Sequence, residues 1–319
     1  MFSTGELILQ QLVNGLVSGS FYALVALGYS MVYGIVKLLN FAHGDIYMTG
    51  AFGFLATFGV LASVLPGWPG VLCAVLAAMC LAAALGFLAQ RFAYRPLLGA
   101  PRLSLLITAI GVSLVIYNAV MLISQSQPSY FTDVLGSGVV DDIPANAAVR
   151  QIIDNGIQIG SMTVTYMKLV LLAVSALLMI GLTLYIGRTM SGRAMRAIAM
   201  DQDTCRLMGI NVRKIIGLTF VIGSALAAVA GGLYCLCYGN IKYDMGFSIG
   251  IKAFTSAVIG GIGSIPGAML GGLLLGLLES IGTQNLGSQW KDVFAFGLLI
   301  LILILRPNGL LGKSEVERM

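Results

Sequence analysis

The chain has 319 residues, a formal net charge of +5 and a mean hydropathy of +0.94, with 58% hydrophobic and only 10% charged side chains. Soluble domains carry about 25% charged residues, so this composition excludes an ordinary water-soluble protein and indicates a chain that resides in a bilayer. The apolar residues run in blocks of about 20 or more instead of alternating, which favours membrane helices over a β-barrel.

Eight apolar stretches organise the sequence, and they lie at residues 7–35, 45–64, 70–92, 103–124, 166–187, 213–238, 250–283 and 291–306. They predict an all-α integral membrane protein, a polytopic helical bundle of eight or nine membrane segments in one transmembrane domain covering residues 1–319. No basic region precedes the first stretch, so we expect no cleaved signal peptide. The five cysteines lack metal-ligand spacing and are expected to be small core side chains.

The charges of the connecting loops predict the topology. The loops after the third and fifth stretches are rich in arginine, so the positive-inside rule places both, including the loop at 187–214, in the cytoplasm. The long connection at 125–165 is acidic and is predicted to be periplasmic. Its charged residues are Asp133, Asp141, Asp142, Arg150 and Asp154. The net charge therefore indicates topology and not nucleic-acid binding.

Counting membrane crossings back from these loops to the start of the chain predicts that the N-terminus lies in the periplasm. The C-terminal tail, which carries Arg306, Lys313 and Arg318, is predicted to be cytoplasmic, and this requires an odd number of crossings. As one helix, the stretch at 250–283 would be about 51 Å long against a hydrocarbon core of about 30 Å. The Gly/Pro sequence GGIGSIPG at 260–267 interrupts it, so we predict a discontinuous segment making two passes, nine in all.

An internal repeat is also visible. The pattern Y-x3-Y-G-x2-K occurs twice, 205 residues apart, at Tyr29, Tyr33, Gly34, Lys37 and at Tyr234, Tyr238, Gly239, Lys242. At an offset one residue larger, Phe41-x2-Gly44 matches Phe247-x2-Gly250. The predicted topology places one copy at the inner end of its helix and the other at the outer end. This predicts an inverted repeat, which is a common plan of transporters.

One face of the first stretch is small or polar from end to end, so it cannot face lipid. The residues of this face are Gln11, Asn14, Gly15, Ser18, Gly19, Tyr22, Ala26, Tyr29 and Tyr33. Two interpretations stay open: a wall of a translocation path, or a packing seam in which Gly15-x3-Gly19 admits a neighbouring backbone.

A second polar feature interrupts the chain after Gly34, where Asn40, His43, Gly44 and Asp45 separate two apolar runs. Asn40 and Asp45 are predicted to cap the next helix, whose N-terminus would attract a carboxylate. The corresponding break, with Phe247 and Gly250, leads to Lys252. A zwitterionic amino acid would find complementary groups there, but an interfacial turn with a cap and a snorkelling lysine explains the same residues.

Glu279 lies in an apolar run, so it is expected to be paired, water-facing or near an interface; a proton relay is a further alternative. Catalytic patterns are absent. The sequence PNGLLGKS at 307–314 lacks the first glycine of a phosphate loop and is followed by only five residues. A chain with one histidine also offers no multi-histidine metal site.

The cytoplasmic loop at 187–214 is predicted to form a short amphipathic helix. Its apolar edge would contain Ala194, Ile198, Ala199 and Leu207, and Gly209 would end it. Such a helix can dock on a motor subunit or lie at the lipid headgroups.

Three long motifs cover much of the chain: NGLVSGSFYALVALGYSMVYGIVKLLNFAHGDIYMTGAF, the loop RAIAMDQDTCRLMGINV, and GIKAFTSAVIGGIGSIPGAMLGGLLLGLLES followed by RPNGLLG. Together they resemble the permease family of the bacterial ABC importers for branched-chain amino acids, and specifically its H-type subunit. The resemblance implies a non-enzymatic subunit of the inner membrane that translocates leucine, isoleucine or valine by alternating access. The related urea and amide importers have similar permeases, so the cargo stays open.

The resemblance also implies partners: an M-type permease, two cytoplasmic ATP-binding subunits that hold ATP and Mg²⁺, and a periplasmic binding protein. This chain itself would bind no cofactor, metal or nucleic acid. The segment at 196–211 looks like the part of such permeases that docks on the ATPases. Its residues of interest are Arg196, Asp201, Asp203, Arg206, Gly209 and Asn211. The Glu-Ala-Ala start of many ABC permeases reads Ile198-Ala199-Met200 here, so docking contacts cannot be transferred residue by residue.

The predicted substrate path collects the polar and small residues of the first stretch and of the two breaks. They are Gln11, Asn14, Ser18, Tyr22, Asn40, His43, Gly44, Asp45, Phe247, Gly250 and Lys252.

Three alternative functions remain open. A stand-alone secondary transporter would need ion-coupling carboxylates, for which Asp45 and Glu279 are the candidates. A membrane enzyme would need clustered ligands or acids, and a scaffold would not need broken polar segments.

Overall fold

The computed structural model of the chain describes residues 4–37, 39–97, 99–130, 144–159 and 162–312. Its helices are α1 (Thr4–Val36), α2 (His43–Leu61), α3 (Trp68–Leu88), α4 (Arg102–Ile123), α5 (Pro144–Asp154), α6 (Tyr166–Arg188), α7 (Met190–Met200), α8 (Gln202–Leu207), α9 (Val212–Tyr238), α10 (Met245–Gly260), α11 (Ile265–Leu286) and α12 (Lys291–Leu305). Its strands are β1 (Ser129–Tyr130), β2 (Gly156–Ile159), β3 (Met162–Thr165) and β4 (Asn240–Ile241).

Within the described residues, eight helical segments are long and apolar enough to cross a membrane, which confirms the predicted polytopic helical membrane protein. The predicted break in the stretch at 250–283 is also confirmed, since α10 ends at Gly260 and α11 begins at Ile265. Gly261 and Gly263 adopt positive φ angles of 104° and 91° there, and Ser264 caps α11. With 16 residues, α10 is about 24 Å long and shorter than the hydrocarbon core. Nine passes stay a prediction.

The described part of the polar connection at 125–165 contains a short helix, α5, and three strands, β1, β2 and β3. Strands β2 and β3 pair antiparallel, and β1 pairs antiparallel with β4, so that Tyr130 lies opposite Asn240. Buried Asn146 of α5 accepts a hydrogen bond from the Gly67 amide at 2.8 Å. Asp133, Asp141 and Asp142, and in the C-terminal tail Lys313 and Arg318, lie outside the described residues.

The helices divide into two compact units, and the chain passes between them several times. The first unit comprises residues 1–39, 175–219 and 251–319, and the second comprises 40–174 and 220–250. The first helix of the chain is therefore not grouped with the helices that follow it. Helix α1 belongs to the same unit as most of α10 and as α11 and α12, whereas most of α9 belongs to the same unit as α2, α3 and α4. Most of the apolar length of α1 and of α9 is buried.

The core of the first unit is an antiparallel contact between α1 and α11. Gly19 and Gly15 of α1 lie against the backbone of α11, where added Cβ atoms would be only 2.8 Å from the Cα atoms of Leu273 and Leu277. Gly276 of α11 in turn lies against the backbone of Gly19 and Gly15. This is the predicted packing seam, since small residues on both helices let the two backbones approach closely.

In the second unit, small residues again allow close contact around α9. A Cβ at Gly50 of α2 would lie 2.5 Å from the Cα atom of Ala228, and a Cβ at Gly231 would lie 2.5 Å from the Tyr47 carbonyl oxygen. Gly86 of α3 packs on Ser224 of α9. Helix α9 therefore contacts α3 in one unit as α1 contacts α11 in the other. These equivalent pairings are expected if α1 to α3 and α9 to α11 are repeats.

Candidate functional site

The first predicted break lies between α1 and α2, at residues 37–42. Lys37 has a positive φ of 57° directly after α1, and its amide bonds to the Tyr33 carbonyl at 2.8 Å. The predicted capping of α2 by Asn40 and Asp45 is wrong, because the capping position is Ala42, which makes no side-chain hydrogen bond. The side chain of Asn40 is buried and accepts a hydrogen bond from the Tyr94 hydroxyl at 2.6 Å, so it is not available to the helix end.

The first turn of α2 holds His43, Gly44 and Asp45, and all three are buried. The Asp45 carboxylate accepts a hydrogen bond from the Ser113 hydroxyl of α4. Its position in the first turn is favourable, because a helix N-terminus carries a partial positive charge. Sequence reasoning did not identify Tyr94 or Ser113, because their partners Asn40 and Asp45 are distant in sequence and only the folded structure brings them together.

Gly44 and Gly246 make a reciprocal contact that supports the repeat. A Cβ on Gly44 would contact the Gly246 carbonyl oxygen, and a Cβ on Gly246 would lie 2.9 Å from the Gly44 carbonyl oxygen. Such exchange of contacts is typical of two-fold-related elements. An offset of 202 residues relates the helix ends on both sides, Val36 to Tyr238 and His43 to Met245. The offset between the helix ends therefore differs from that of the motif, which recurs at 205, because α9 ends three residues earlier than α1 relative to the motif.

The remaining predicted residues of the second break differ in exposure. Phe247 is exposed and Gly250 is buried. Gly250 contributes to the same close contact, since a Cβ on Gly44 would lie 2.8 Å from its Cα atom. The first turns of α2 and α10 therefore meet through glycine, and this part of the predicted path is closely packed.

Lys252 is the centre of a charge cluster in the first unit, in which Lys252 and Glu279 are buried and Asp292 and Lys291 are exposed. Its Nζ atom lies 2.8 Å from Oε1 of Glu279 on α11 and 2.9 Å from Oδ1 of Asp292 on α12. The hydroxyl of Tyr22 on α1 donates to Oε2 of Glu279 at 2.8 Å, and Nζ of Lys291 lies 3.7 Å from the same oxygen. Lys252 and Glu279 are 6% and 1% exposed, so the interpretation of Lys252 as a snorkelling side chain is wrong.

This cluster satisfies the expectation that Glu279 is paired. Two carboxylates face two ammonium groups, so no net charge remains, and the tyrosine hydroxyl adds a hydrogen bond. In an apolar surrounding, a charged group is tolerated only with such partners. Tyr22 and Lys252 of the predicted path therefore contribute to a charge network that joins α1, α10, α11 and α12.

The other predicted path residues of α1 also face α11 or bond within their own helix. The Ser280 hydroxyl of α11 donates to the side chain of Gln11 at 2.7 Å. The Ser18 hydroxyl bonds to the Asn14 carbonyl one turn earlier, at 3.0 Å. The structure thus confirms the seam, while a path along this face stays a prediction.

The loop at 187–214 folds as two short helices, α7 and α8, each with its own cap. Thr189 caps α7, and Asp201 caps α8 by accepting hydrogen bonds from the amides of Asp203 and Thr204 at 2.9 and 3.1 Å. Gly209 has a φ of 79°, which confirms it as the helix stop, and the Ile210 amide bonds back to the Cys205 carbonyl.

Hydrogen bonds also connect this helix pair to its flanks. Asn211 caps α9 by accepting from the Lys214 amide at 3.1 Å. The Arg196 guanidinium donates to the Gly187 carbonyl at the end of α6 at 3.2 Å. Both residues were predicted to belong to the docking segment.

The predicted apolar edge of this segment is correct for Ile198 and wrong for Leu207. Ile198, Met195 and Cys205 are buried, whereas Leu207 is 88% exposed. The reason is the extended backbone of Asp201, which ends α7 and starts α8 with a new phase. One helical period across both pieces therefore assigns the wrong face to Leu207.

The exposed face of the pair combines apolar and charged side chains. Met200, Leu207 and Met208 are all more than three-quarters exposed, and the Arg206 guanidinium forms an ion pair with Asp203 at 3.0 Å. An exposed group of large apolar residues on a surface otherwise rich in charge is typical of a protein interaction site.

The buried face of the pair contacts the membrane helices of the first unit. The side chain of Gln202 donates to the Ile35 carbonyl at the end of α1 at 3.4 Å. Ser30 of α1 accepts a hydrogen bond from the Gly263 amide in the α10–α11 break at 3.0 Å. The C-terminal segment bonds to the same break, since the amides of Leu310 and Leu311 donate to the carbonyls of Ile259 and Gly260 at 2.9 Å. The helix pair is thus connected with the broken helix.

Comparison with known proteins gives one family. Residues 11–303 match the family described as branched-chain amino acid transport system / permease component. The high-affinity branched-chain amino acid transport system permease protein BraD of Pseudomonas aeruginosa is 49% identical over 314 residues, 97% of each chain. LivH of Escherichia coli K12, which has the same description, is 43% identical over 319 residues, also 97% of each chain.

A second Escherichia coli permease with that description, LivM, is 29% identical over 156 residues, 47% of this chain and 36% of LivM. No solved structure matches the chain.

Proposed function

Because this chain belongs to the family of branched-chain amino acid transport permeases, we propose that it is the H-type permease subunit of an ATP-binding cassette importer for leucine, isoleucine and valine. It is a multi-pass membrane protein, and we place it in the bacterial inner membrane, with its N-terminus in the periplasm and its C-terminus in the cytoplasm. The chain moves its cargo without changing it chemically.

The partners follow from this assignment. Escherichia coli has two permeases named for this transport system, LivH and LivM, and the similarity of both to this chain supports pairing with an M-type permease. Two cytoplasmic subunits bind ATP and Mg²⁺ and supply the energy. A periplasmic binding protein delivers the amino acid.

The observation that supports the coupling role is the exposed face of α7 and α8, with Met200, Leu207, Met208 and the ion pair of Asp203 with Arg206. We propose that it docks on an ATP-binding subunit. Movement of the docked pair would reach the end of α1 through Gln202, and the α10–α11 break is joined to α1 through Ser30. ATP-driven movement thereby changes which side of the membrane the path faces.

The path itself is proposed to run beside the two breaks. Asn40, His43 and Asp45 at the first break are polar, and helix N-termini meet there through Gly44 and Gly246. Amide donors at helix N-termini suit a carboxylate. The contacts seen around Gly44 are close, so opening of the path requires these turns to separate.

The docking role is tested by exchanging the charges of one ion pair. The double variant Asp203→Arg with Arg206→Asp keeps an ion pair within α8 but inverts the charge pattern offered to the ATPase. We expect leucine uptake to fall by about tenfold or more, with normal membrane abundance. The matched control is Arg150→Asp with Asp154→Arg in the acidic connection, which exchanges charges away from α8.

Unchanged uptake by the Asp203/Arg206 variant, at normal abundance, would contradict the docking role. Equal loss in the control variant would also contradict it, because the effect would then not be specific to α8.

A further inference from the structure

A cavity of about 340 Å³ lies at the second break, in the second unit, and has no role in the assignments above. Its lining residues are Tyr234, Tyr238, Asn240, Lys242 and Met245. A volume of this size is at the lower end of the range of small-molecule sites, about 300–1,000 Å³. It therefore has room for a ligand of the size of an amino acid.

The cavity has an aromatic wall with a defined geometry. The rings of Tyr234 and Tyr238 are 4.7 Å apart between centroids, and Tyr47 of α2 packs edge-on against Tyr234 at 6.2 Å. Met245, the first residue of α10, adds an apolar and adaptable side chain. This wall suits a branched aliphatic side chain.

The polar groups of the cavity are of two kinds. The side chain of Lys242 is exposed, and its ammonium group forms no ion pair with any residue that the structure describes. The Oδ1 atom of Asn240 is buried and accepts no hydrogen bond within the described ranges. Pairing of Asn240 with Tyr130 across β4 and β1 fixes the backbone that carries this side chain.

A buried acceptor and an exposed cation in one cavity call for a ligand with a donor and an anionic group. Phosphate or another simple anion would satisfy Lys242 and leave Asn240 without a donor. A zwitterionic amino acid supplies both, since its carboxylate and its ammonium group are separated by one carbon atom.

We infer that this cavity is a binding site for the apolar amino acid that the permease carries. The carboxylate pairs with Lys242, the ammonium group donates to Asn240, and the side chain contacts Tyr238 and Met245. The inference rests on the proposed function for the choice of cargo. It deepens that function by placing the ligand at the start of α10, one residue before the Gly44–Gly246 contact.

Uptake of radiolabelled L-leucine by cells that carry the complete transporter tests the site. We expect Lys242→Gln and Asn240→Leu each to lower initial uptake by about tenfold or more at matched membrane abundance, and Lys242→Arg to retain most of it. The control Arg150→Gln removes one positive charge from another exposed side chain of the same unit and should leave uptake unchanged. Uptake by Lys242→Gln within about twofold of wild type would overturn the site.

A second measurement reads binding without transport. In the purified complex, with the five native cysteines replaced by alanine, Tyr238→Cys is labelled with a water-soluble thiol reagent. We expect millimolar L-leucine to slow the labelling, and 4-methylpentanoate and 3-methylbutylamine, which each lack one charged group, to protect less. Added Lys242→Gln should abolish the preference for L-leucine over 3-methylbutylamine.

The two measurements separate the possible failures. Normal leucine uptake without any protection of Tyr238→Cys, and with normal uptake by Lys242→Gln, would overturn the site and leave the proposed function standing. Protection by L-leucine in a chain that supports no leucine uptake would support the site and contradict the transport assignment.

Discussion

At the scale of single residues, the polar side chains noted in the sequence differ from one another in how deeply they are buried and in which groups they bond to. The sequence predicts that Glu279 needs a partner, because a carboxylate in an apolar run cannot face lipid. It does not predict that Lys252, 27 positions earlier, is that partner. The pair depends on how α10 packs against α11, and local sequence patterns carry no information about this packing.

The Lys252–Glu279 pair makes a stability prediction. Lys252→Met leaves the buried carboxylate without its main partner and should lower the free energy of unfolding by about 3–5 kcal/mol. Lys252→Met combined with Glu279→Leu removes both charges and should recover most of that loss. Thermal unfolding of the purified chain in detergent measures both, with Lys214→Met on the surface as the control.

A double variant as unstable as the single one would contradict this account, since it would show that unpaired charge is not the cause.

The cap of α8 makes a prediction about pH. The Thr204 hydroxyl, followed by the amides of Thr204 and Asp203, lowers the pKa of Asp201 below its ordinary value of 3.8. Because this pKa is lower in the folded state, the cap contributes fully above that ordinary value and is lost as the pH falls through the folded-state value. Hydrogen exchange of residues 202–208, corrected for intrinsic rates, should show constant protection from about pH 8 to 5 and a decrease below about pH 4.

The cap at Asn211 is a matched control, since its side-chain amide does not titrate. Equal loss of protection at both caps in acid would contradict a specific effect of Asp201.

At the scale of helices and strands, the sequence predicts breaks better than faces. Glycine and proline at 260–267 predict the break between α10 and α11, because they free backbone groups and permit positive φ angles. The exposure of Leu207 was not predictable from periodicity, since the Asp201 cap resets the helical phase. The pairing of β1 with β4 joins segments about 110 residues apart and leaves no local signal.

The seam between α1 and α11 makes a prediction about helix packing. Gly19→Val would place side-chain atoms inside the backbone of α11, so the two helices must separate. We expect a loss of about 1–3 kcal/mol or more in stability. Gly111→Val is the control, because a Cβ there meets nothing within 4 Å. Thermal unfolding of both variants at equal expression provides the measurement, and equal stability would contradict the seam.

At the scale of the whole molecule, the predicted repeat would explain why the chain passes between two units. α1 packs against α11, and α9 packs against α3, so each repeat contributes its first helix to the unit that holds the third helix of the other. The sequence motif predicts this relation at an offset three residues larger than the one between the helix ends. The motif follows residue identity, whereas the structural offset follows the helix ends, and the two differ by almost one helical turn.

The partners of the buried carboxylates and the exposed apolar surface together favour an ATP-driven permease over an ion-coupled transporter. Ion coupling needs a carboxylate that can release its partner, but Glu279 is held by Lys252 and Tyr22, and Asp45 is bonded to Ser113. The exposed apolar residues of α7 and α8 instead indicate a surface that a second protein covers.

We therefore predict that the tagged chain, purified in mild detergent and analysed by mass spectrometry, recovers a second permease and two copies of an ATPase subunit. Recovery of the chain alone would favour ion coupling, and charge exchange at Asp203 and Arg206 should abolish recovery of the ATPases while the second permease remains.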